Sequence, residues 1–449
     1  MTVKEPALPE RLYEWVTDED PEGHTCDAIS EEACREAPRN FLLNTSNGAA
    51  TKLAEQVASP GLVLSWLLAT LGAPVALVGL LEPVRQGGSL LPQLAVSGKM
   101  RAYARRKWFW VGAGVTQAVS LLLMLFAALT LTGAVAGWTI IGALAVFSAA
   151  SGVGSVAFSD VMGKTIPKGK RGQLLGLRST IGGAFTILAG LILYGRVGGN
   201  AGVGVFVVLL GTAAALWALA AFLFSLTTEE PGATTGSRNT LREARSGMDL
   251  LIRVPGFRRF IIARAFLLSV ELSIPFYSLR AREITSAGRG LGLFIVALGV
   301  ATLIGSPIWG RLSDRNSNRL VMGIGAAAGA LAAAAALFLG LFVSRNVSPY
   351  FYVPIFLLVG LAQSAIRVGR KSYLVDAAPT DERPLYKAVA NTTVGLLTLS
   401  FAALGLLAQV LGLDAVLIVL LALGLLGVAA CWYMPEADRM TDSASQRFS

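Results

Sequence analysis

Residues 108–159 run for 52 positions without one charged side chain. A helix needs about 20 apolar residues to cross the ~30 Å hydrocarbon layer of a bilayer. The run is therefore too long for one crossing and too apolar for a soluble fold. The segment "LTGAVAGW" near Gly133 breaks it into two crossings. The rest of the chain agrees: 54% of its 449 residues are hydrophobic and 15% charged, against roughly a quarter charged in soluble domains. Its mean hydropathy is +0.62. Its 49 glycines fit close helix packing in a membrane. The net charge of +10 excludes no partner by itself. The basic residues lie in short loops rather than on one domain face, which argues against nucleic acid and for cytoplasmic loops.

Marking the intervals between charges predicts twelve spans. They are 56–81, a short one at 85–98, two within 108–159, then 172–195, 197–228, 260–279, 290–310, 320–344, 347–373, one opening at Lys387 and one after Asp414. The fold class expected is all-α, with two six-helix bundles. The predicted divisions are a tail 1–55, a bundle 56–227, a polar linker 228–256, a bundle 257–435 and a tail 436–449. Alternate loops carry the Lys and Arg: Lys99 to Lys107, Lys164 to Arg171, Arg238 to Arg259, and Arg311 to Arg319. That places both termini in the cytoplasm. The opening stretch, from Met1 to Asn40, is polar and acidic with no apolar signal core, so the first span is expected to direct insertion. Cys26, Cys34 and Cys431 give no disulfide framework, and His24 with Cys26 and Cys34 matches no standard zinc spacing. No metal and no cofactor are expected.

Sliding the chain along itself until Gly98 falls on Gly310 lays "GKMRAYARRK" (98–107) on "GRLSDRNSNR" (310–319). The same shift lays Pro167 on Pro379, Arg171 on Arg383, and "RST" (178–180) on "ANT" (390–392). Two loops agreeing on one offset indicate parallel repeats. The stretch "GRLSDRNSNRLVM" resembles the Gly-x-Leu-x-Asp-Arg-x-Gly-Arg/Lys signature of the major facilitator superfamily, through Gly310, Leu312, Asp314, Arg315 and Arg319. Ser317 stands where the pattern has Gly. The first copy keeps Gly98 and its basic residues but has Ala102 at the acid position. The resemblance covers about 56–435 and implies a twelve-helix secondary transporter working by alternating access. It further implies that Asp314 is part of a cytoplasmic latch facing the start of span eleven, near Tyr386 and Lys387. A loop acid balancing loop arginines is the plainer alternative.

Charge at membrane depth costs at least ~2.5–3.5 kcal/mol and marks pathways or partners. Glu271 and Arg264, two helical turns apart in span seven, project from nearly one face, about 10 Å apart. A coupling acid and a structural ion pair are both open for them. Arg178 in span five and Asp160 in span four are expected to pair. Arg367, a turn deeper than Arg370 and Lys371, is expected to reach Asp314 or an anionic substrate, while Arg370 and Lys371 snorkel. Glu82 and Arg85 fall between spans one and two, in an outer hairpin or at the top of a substrate cavity.

Span five lacks the Gly-Pro element and span four the embedded Arg of many proton-coupled members, which weakens a multidrug/proton antiporter reading. A single His and the lack of a nucleotide-binding loop point away from an enzyme or an ATP-driven pump. The reading is a monomeric secondary transporter of the bacterial plasma membrane. Its partners are an anionic or polar solute, lipid, and a proton or other coupling ion. The alternative is a transporter-like sensor or assembly factor.

Overall fold

The computed structural model describes residues 13, 29–100, 102–167, 170–196, 202–232, 250–284, 289–342, 348–379 and 382–440. The expectations for His24, Cys26 and most of the linker fall outside these residues. Cys34 is disulfide-bonded, contrary to the expectation from spacing.

The chain is helical in every described long element. The N-terminal half holds α1 (Ala37–Val57), a π-turn (Pro60–Leu64), α2 (Ser65–Thr70), α3 (Val75–Met100), α4 (Lys107–Thr130), α5 (Gly133–Thr165), α6 (Arg171–Arg196) and α7 (Val203–Ser225). The C-terminal half holds α8 (Pro255–Glu271), α9 (Ile274–Ile284), α10 (Arg289–Arg315), α11 (Asn318–Phe342), α12 (Val353–Ala377), α13 (Arg383–Ser400) and α14 (Ala403–Tyr433). Nine helical stretches among the described residues are long and apolar enough to cross a membrane. The last, Leu385–Tyr433, has 49 residues and turns at Gly412, whose φ of 86° only glycine adopts cheaply. With that turn, and with α1–α2 and α3 as two further passes, the arrangement is consistent with twelve.

The helices carry their apolar stripe outwards. On α4, Val115, Val119, Leu122, Phe126 and Leu129 recur at helical spacing and stand exposed. Trp110, Ala113, Gln117, Leu121 and Met124 form the buried face of the same helix. In water the exposed stripe would be an aggregation surface. In lipid it is the outer wall of a multi-pass membrane protein.

The halves repeat. Thr165 and Ala377 end α5 and α12, and Arg171 and Arg383 begin α6 and α13, both pairs at the offset that superposes Gly98 on Gly310. The repeat extends to side chains. Arg171 Nε donates to the Ile166 carbonyl at 3.0 Å, and Arg383 Nε donates to the Ala378 carbonyl at 3.2 Å.

The first pass starts earlier than the sequence suggested. Residues 37–57, expected in the tail and at the start of span one, form α1, packed on α6 and α7. Its polarity misled. Asn40, Asn44 and Asn47 are fully buried. Their amides donate to the carbonyls of Thr228, Asn40 and Ala220 at 3.0, 2.8 and 2.8 Å. A helix enclosed by protein satisfies its polar groups internally and needs no lipid-facing apolarity. The turn after the first pass is consequently at Gly72 (φ 72°), Ala73 and Pro74. The outer hairpin expected at Glu82–Arg85 does not exist, and both residues sit inside α3.

The halves meet on the side away from the basic loops. Ser65 Oγ and Ser278 Oγ are 2.7 Å apart, and Trp66 Nε1 donates to the Ser278 carbonyl at 3.2 Å. The Ala76 amide donates to Gln409 Oε1 at 3.3 Å, and Arg282 to Thr70 Oγ1 at 3.3 Å. Gly79 lies against Gly405, and Gly190 against Gly292, so closely that a methyl on any of them would crowd a neighbouring backbone. On this same side Arg280 pairs with Asp414 at 2.6 Å.

Candidate functional site

The first helix of each half is broken at the same depth. α1 stops at Val57 and the π-turn begins at Pro60; α8 stops at Glu271 and α9 begins at Ile274. Ser59 and Ser273, at nearly the repeat offset, mark the breaks. The local causes are Pro60 and Pro275, which have no amide hydrogen to continue a helix. A helix end inside a membrane leaves carbonyls without partners. At the α8 end Gln363 of α12 supplies them, its Nε2 donating to the carbonyls of Val270 and Glu271, each at 3.1 Å. At the other break, the Glu82 carboxylate lies close against Gly61. Paired interruptions in corresponding helices mark a binding region between repeats. The "ASPG" and "LSIP" stretches were the signal in the sequence.

Charged side chains converge on these breaks. From α1 come Lys52 and Glu55, from α3 Glu82 and Arg85, from α6 Arg178, from α8 Arg264 and Glu271, and from α12 Arg367, Arg370 and Lys371. Glu55 pairs with Lys52 at 3.2 Å and with Arg85 at 3.4 Å. Glu271 pairs with Arg370 at 3.4 Å. Glu82 accepts from Gln86 at 3.3 Å. Arg367 lies within electrostatic reach of both Glu55 and Glu271, so it stands between the halves. Among the described residues Arg367 and Lys371 have no hydrogen-bond or ion-pair partner, and both are exposed to the space between the halves.

Arg178 and Asp160 do not pair. Arg178 lies over the Phe158 ring at 4.2 Å, and its Nη2 donates to Asn47 Oδ1 at 3.4 Å. Its other terminal nitrogen, Nη1, is buried without a partner. Asp160 instead binds Arg106 and also Lys164, the latter at 3.0 Å. The reason is position: Asp160 is at the basic end of α5, beside the loop that lacks an acid at Ala102, whereas Arg178 lies two turns inside α6. Arg264 is buried against Phe260, 5.9 Å from the ring centroid, and it is Arg370 that pairs with Glu271. Arg370 was expected to snorkel away.

The signature segment spans the end of α10 and the start of α11. Gly310 has open space around it, and Arg315 is exposed. Arg319 pairs with Glu436 at 2.7 Å and donates to the Met434 carbonyl at 2.9 Å. Ser317, where the signature has Gly, donates to the other Glu436 oxygen at 2.6 Å. Asp314 is helical, but its side chain, like the surroundings of Gly98, falls outside the described residues. The other half has a counterpart: Glu229 accepts from the amides of Arg106 and Lys107 at 2.9 and 2.7 Å and binds Lys164 at 3.0 Å.

Residues 260–448 match the model of the Major Facilitator Superfamily. An uncharacterized protein of Mycobacterium tuberculosis and one of Mycobacterium bovis are each 28% identical over 334 residues, or 71% of this chain. The match spans 64% of the length of those relatives. Among solved structures, a mutant of the nucleoside transporter NupG aligns with a TM-score of 0.69, covering 88% of this chain and 99% of that one at 13% identity. A POT family transporter bound to 5-aminolevulinic acid aligns at 0.68, covering 90% and 96% at 12% identity. The inward-open xylose transporter XylE from E. coli aligns at 0.66, covering 91% and 98% at 15% identity. At these identities the likeness establishes a common fold.

Proposed function

We propose that the chain is a Major Facilitator Superfamily transporter that moves a small anionic solute by alternating access, driven by an ion gradient. The observation that carries this reading is the charge balance between the halves. Seven cations (Lys52, Arg85, Arg178, Arg264, Arg367, Arg370, Lys371) surround three carboxylates (Glu55, Glu82, Glu271). Each charge at this depth is costly without a partner, and Arg367, Lys371 and Arg178 Nη1 have coordination to spare. A bound anion would complete it, held by donors from both halves.

The basic loops point to the cytoplasm under the positive-inside tendency. Closure on the opposite side then makes this an inward-facing state, with both termini cytoplasmic and the protein acting as a monomer in a bacterial-type plasma membrane. Glu271 is the proposed coupling acid, because its partner Arg370 is also part of the anion-attracting wall. Protonation of Glu271 would free Arg370 for the solute. Asp314 with Arg315 and Arg319 is the proposed gate on the basic side.

The test is uptake into proteoliposomes of labelled carboxylates and phosphates, beside neutral sugars and organic cations, with and without an imposed pH gradient. Accumulation of an anion that is lost in Arg367→Gln supports the reading. Transport confined to neutral or cationic solutes, or no transport at all, would overturn it; the second result would favour a sensor or assembly role.

A further inference from the structure

Beside the charged site, the N-terminal half holds a cavity of about 110 Å³. It is lined by Ala54, Glu55, Ala58, Pro60 and Leu64 of the first pass, Arg85 of α3, Leu121 and Met124 of α4, and Leu144 and Phe147 of α5. Its far wall is apolar: Leu64, Leu121, Met124 and Leu144 are each at most 2% exposed. Glu55 and Arg85 keep 33% and 19% of their side chains accessible, so the cavity opens past their ion pair towards the space between the halves. Arg85 is held in place by Phe147, its guanidinium 5.3 Å from the ring centroid. The cavity exists because α1 breaks. A continuous helix would carry side chains through 58–60, where Ala58, Ser59 and Pro60 leave room.

The geometry points to a second subsite here, one that takes the apolar chain of a carboxylate whose head binds the cations of the charged site. This rests on the anion-transport reading above. The size sets the class. An apolar cavity of about 150 Å³ admits a six-carbon benzene ring, so this one accepts about four carbons, and the solute is a short-chain aliphatic carboxylate rather than an inorganic anion or a sugar acid. The placement gives the mechanism. The apolar subsite belongs wholly to the N-terminal half, while Arg367, Arg370 and Lys371 belong to the C-terminal half. A solute with both features spans the two halves, so its binding favours their closing together on the basic side. Glu55 stands at the junction. Its charge is balanced by Lys52 and Arg85, so it does not repel the incoming head.

The test is binding of straight-chain carboxylates from acetate to octanoate to the purified protein in nanodiscs, read through intrinsic tryptophan fluorescence. The expected result is a tightening of about fourfold for each added methylene as far as pentanoate, then a plateau. Ala58→Leu, which fills the cavity, should flatten that slope, and Met124→Ala, which enlarges it, should move the plateau one or two carbons further. Arg367→Gln should weaken every member together and leave the slope as it was. The two variants at the cavity change its volume in opposite directions, so a general loss of folding cannot imitate both results. A flat series in the unmodified protein with Arg367-dependent acetate binding would overturn the subsite and leave the anion reading standing. If no carboxylate binds the subsite falls, and if inorganic phosphate also fails to bind the anion reading falls with it.

Discussion

Arg370 of α12 and Glu271, the last residue of α8, form an ion pair at 3.4 Å that ties one helix of the C-terminal bundle to the break in another. Gln363, two turns earlier on α12, caps the same break. Rearrangement of α12 and the charge of Glu271 are thereby linked. In proteoliposomes, Glu271→Gln is expected to abolish accumulation driven by a pH gradient while preserving solute exchange at zero gradient. Gradient-driven accumulation at the wild-type level would remove Glu271 from the coupling step.

Gly48 is the floor on which Arg178 lies, and a methyl there would fall on the Arg178 side chain. Gly48→Ala should therefore push the guanidinium away from Phe158 and Asn47. Loss of one charge-assisted contact predicts roughly tenfold weaker solute binding, or about 1.4 kcal/mol. Gly183, where the methyl would meet only Leu303 at ordinary contact distance, serves as the comparison: Gly183→Ala should leave Arg178 in place. Binding constants for the two variants, measured in one preparation, decide the point.

The contact of Gly79 with Gly405 closes the halves backbone to backbone. Gly405→Val should wedge α14 from α3 and shift the population towards opening on that side. A cysteine reporter at the adjacent contact, Ser278→Cys, should then react several-fold faster with a membrane-impermeant maleimide. Unchanged labelling would show that this contact does not control closure.

Two acids hold the basic side of the two halves, but in different settings. Glu229 has a fully buried side chain, with two backbone amides and Lys164 as partners. Glu436 keeps 38% of its side chain accessible. Removing one partner from a buried pair costs about 3–5 kcal/mol, whereas an exposed pair contributes ~0–1 kcal/mol. Glu229→Gln should lower thermal stability in detergent strongly and Glu436→Gln slightly. Melting curves of the two variants, recorded side by side in the same detergent and buffer, check the difference.

Much of the fold was legible because its governing pattern is charge exclusion. The long uncharged runs located α4, α5, α7 and α11, and the single repeat offset paired the ends of α5 with α12 and the starts of α6 with α13. The first pass was not legible by that rule. α1 is polar because it is sheathed by α6 and α7, so its asparagines hydrogen-bond to protein and no lipid-facing stripe is written into it. A first span at 56–81 puts Glu82 and Arg85 at its end, in a hairpin or at the top of a cavity, and leaves Glu55 in the tail. Partner choice was equally hidden. Arg178 reaches Asn47 and Phe158 rather than Asp160, and Glu271 reaches Arg370 on another helix. Neither follows from spacing within one helix.

The polarity of α1 has a consequence for how the protein is made. With three asparagines and the charges of Lys52 and Glu55 along its length, this segment gains little by entering lipid alone. Its partners α6 and α7 lie far later in the chain, beyond α3, α4 and α5, and are synthesised well after it. The opening helix must therefore wait at the translocon, or at the membrane surface, until the rest of its bundle arrives. Biogenesis of the N-terminal half is then a concerted event, and truncation before α7 should strand the first helix outside the bilayer.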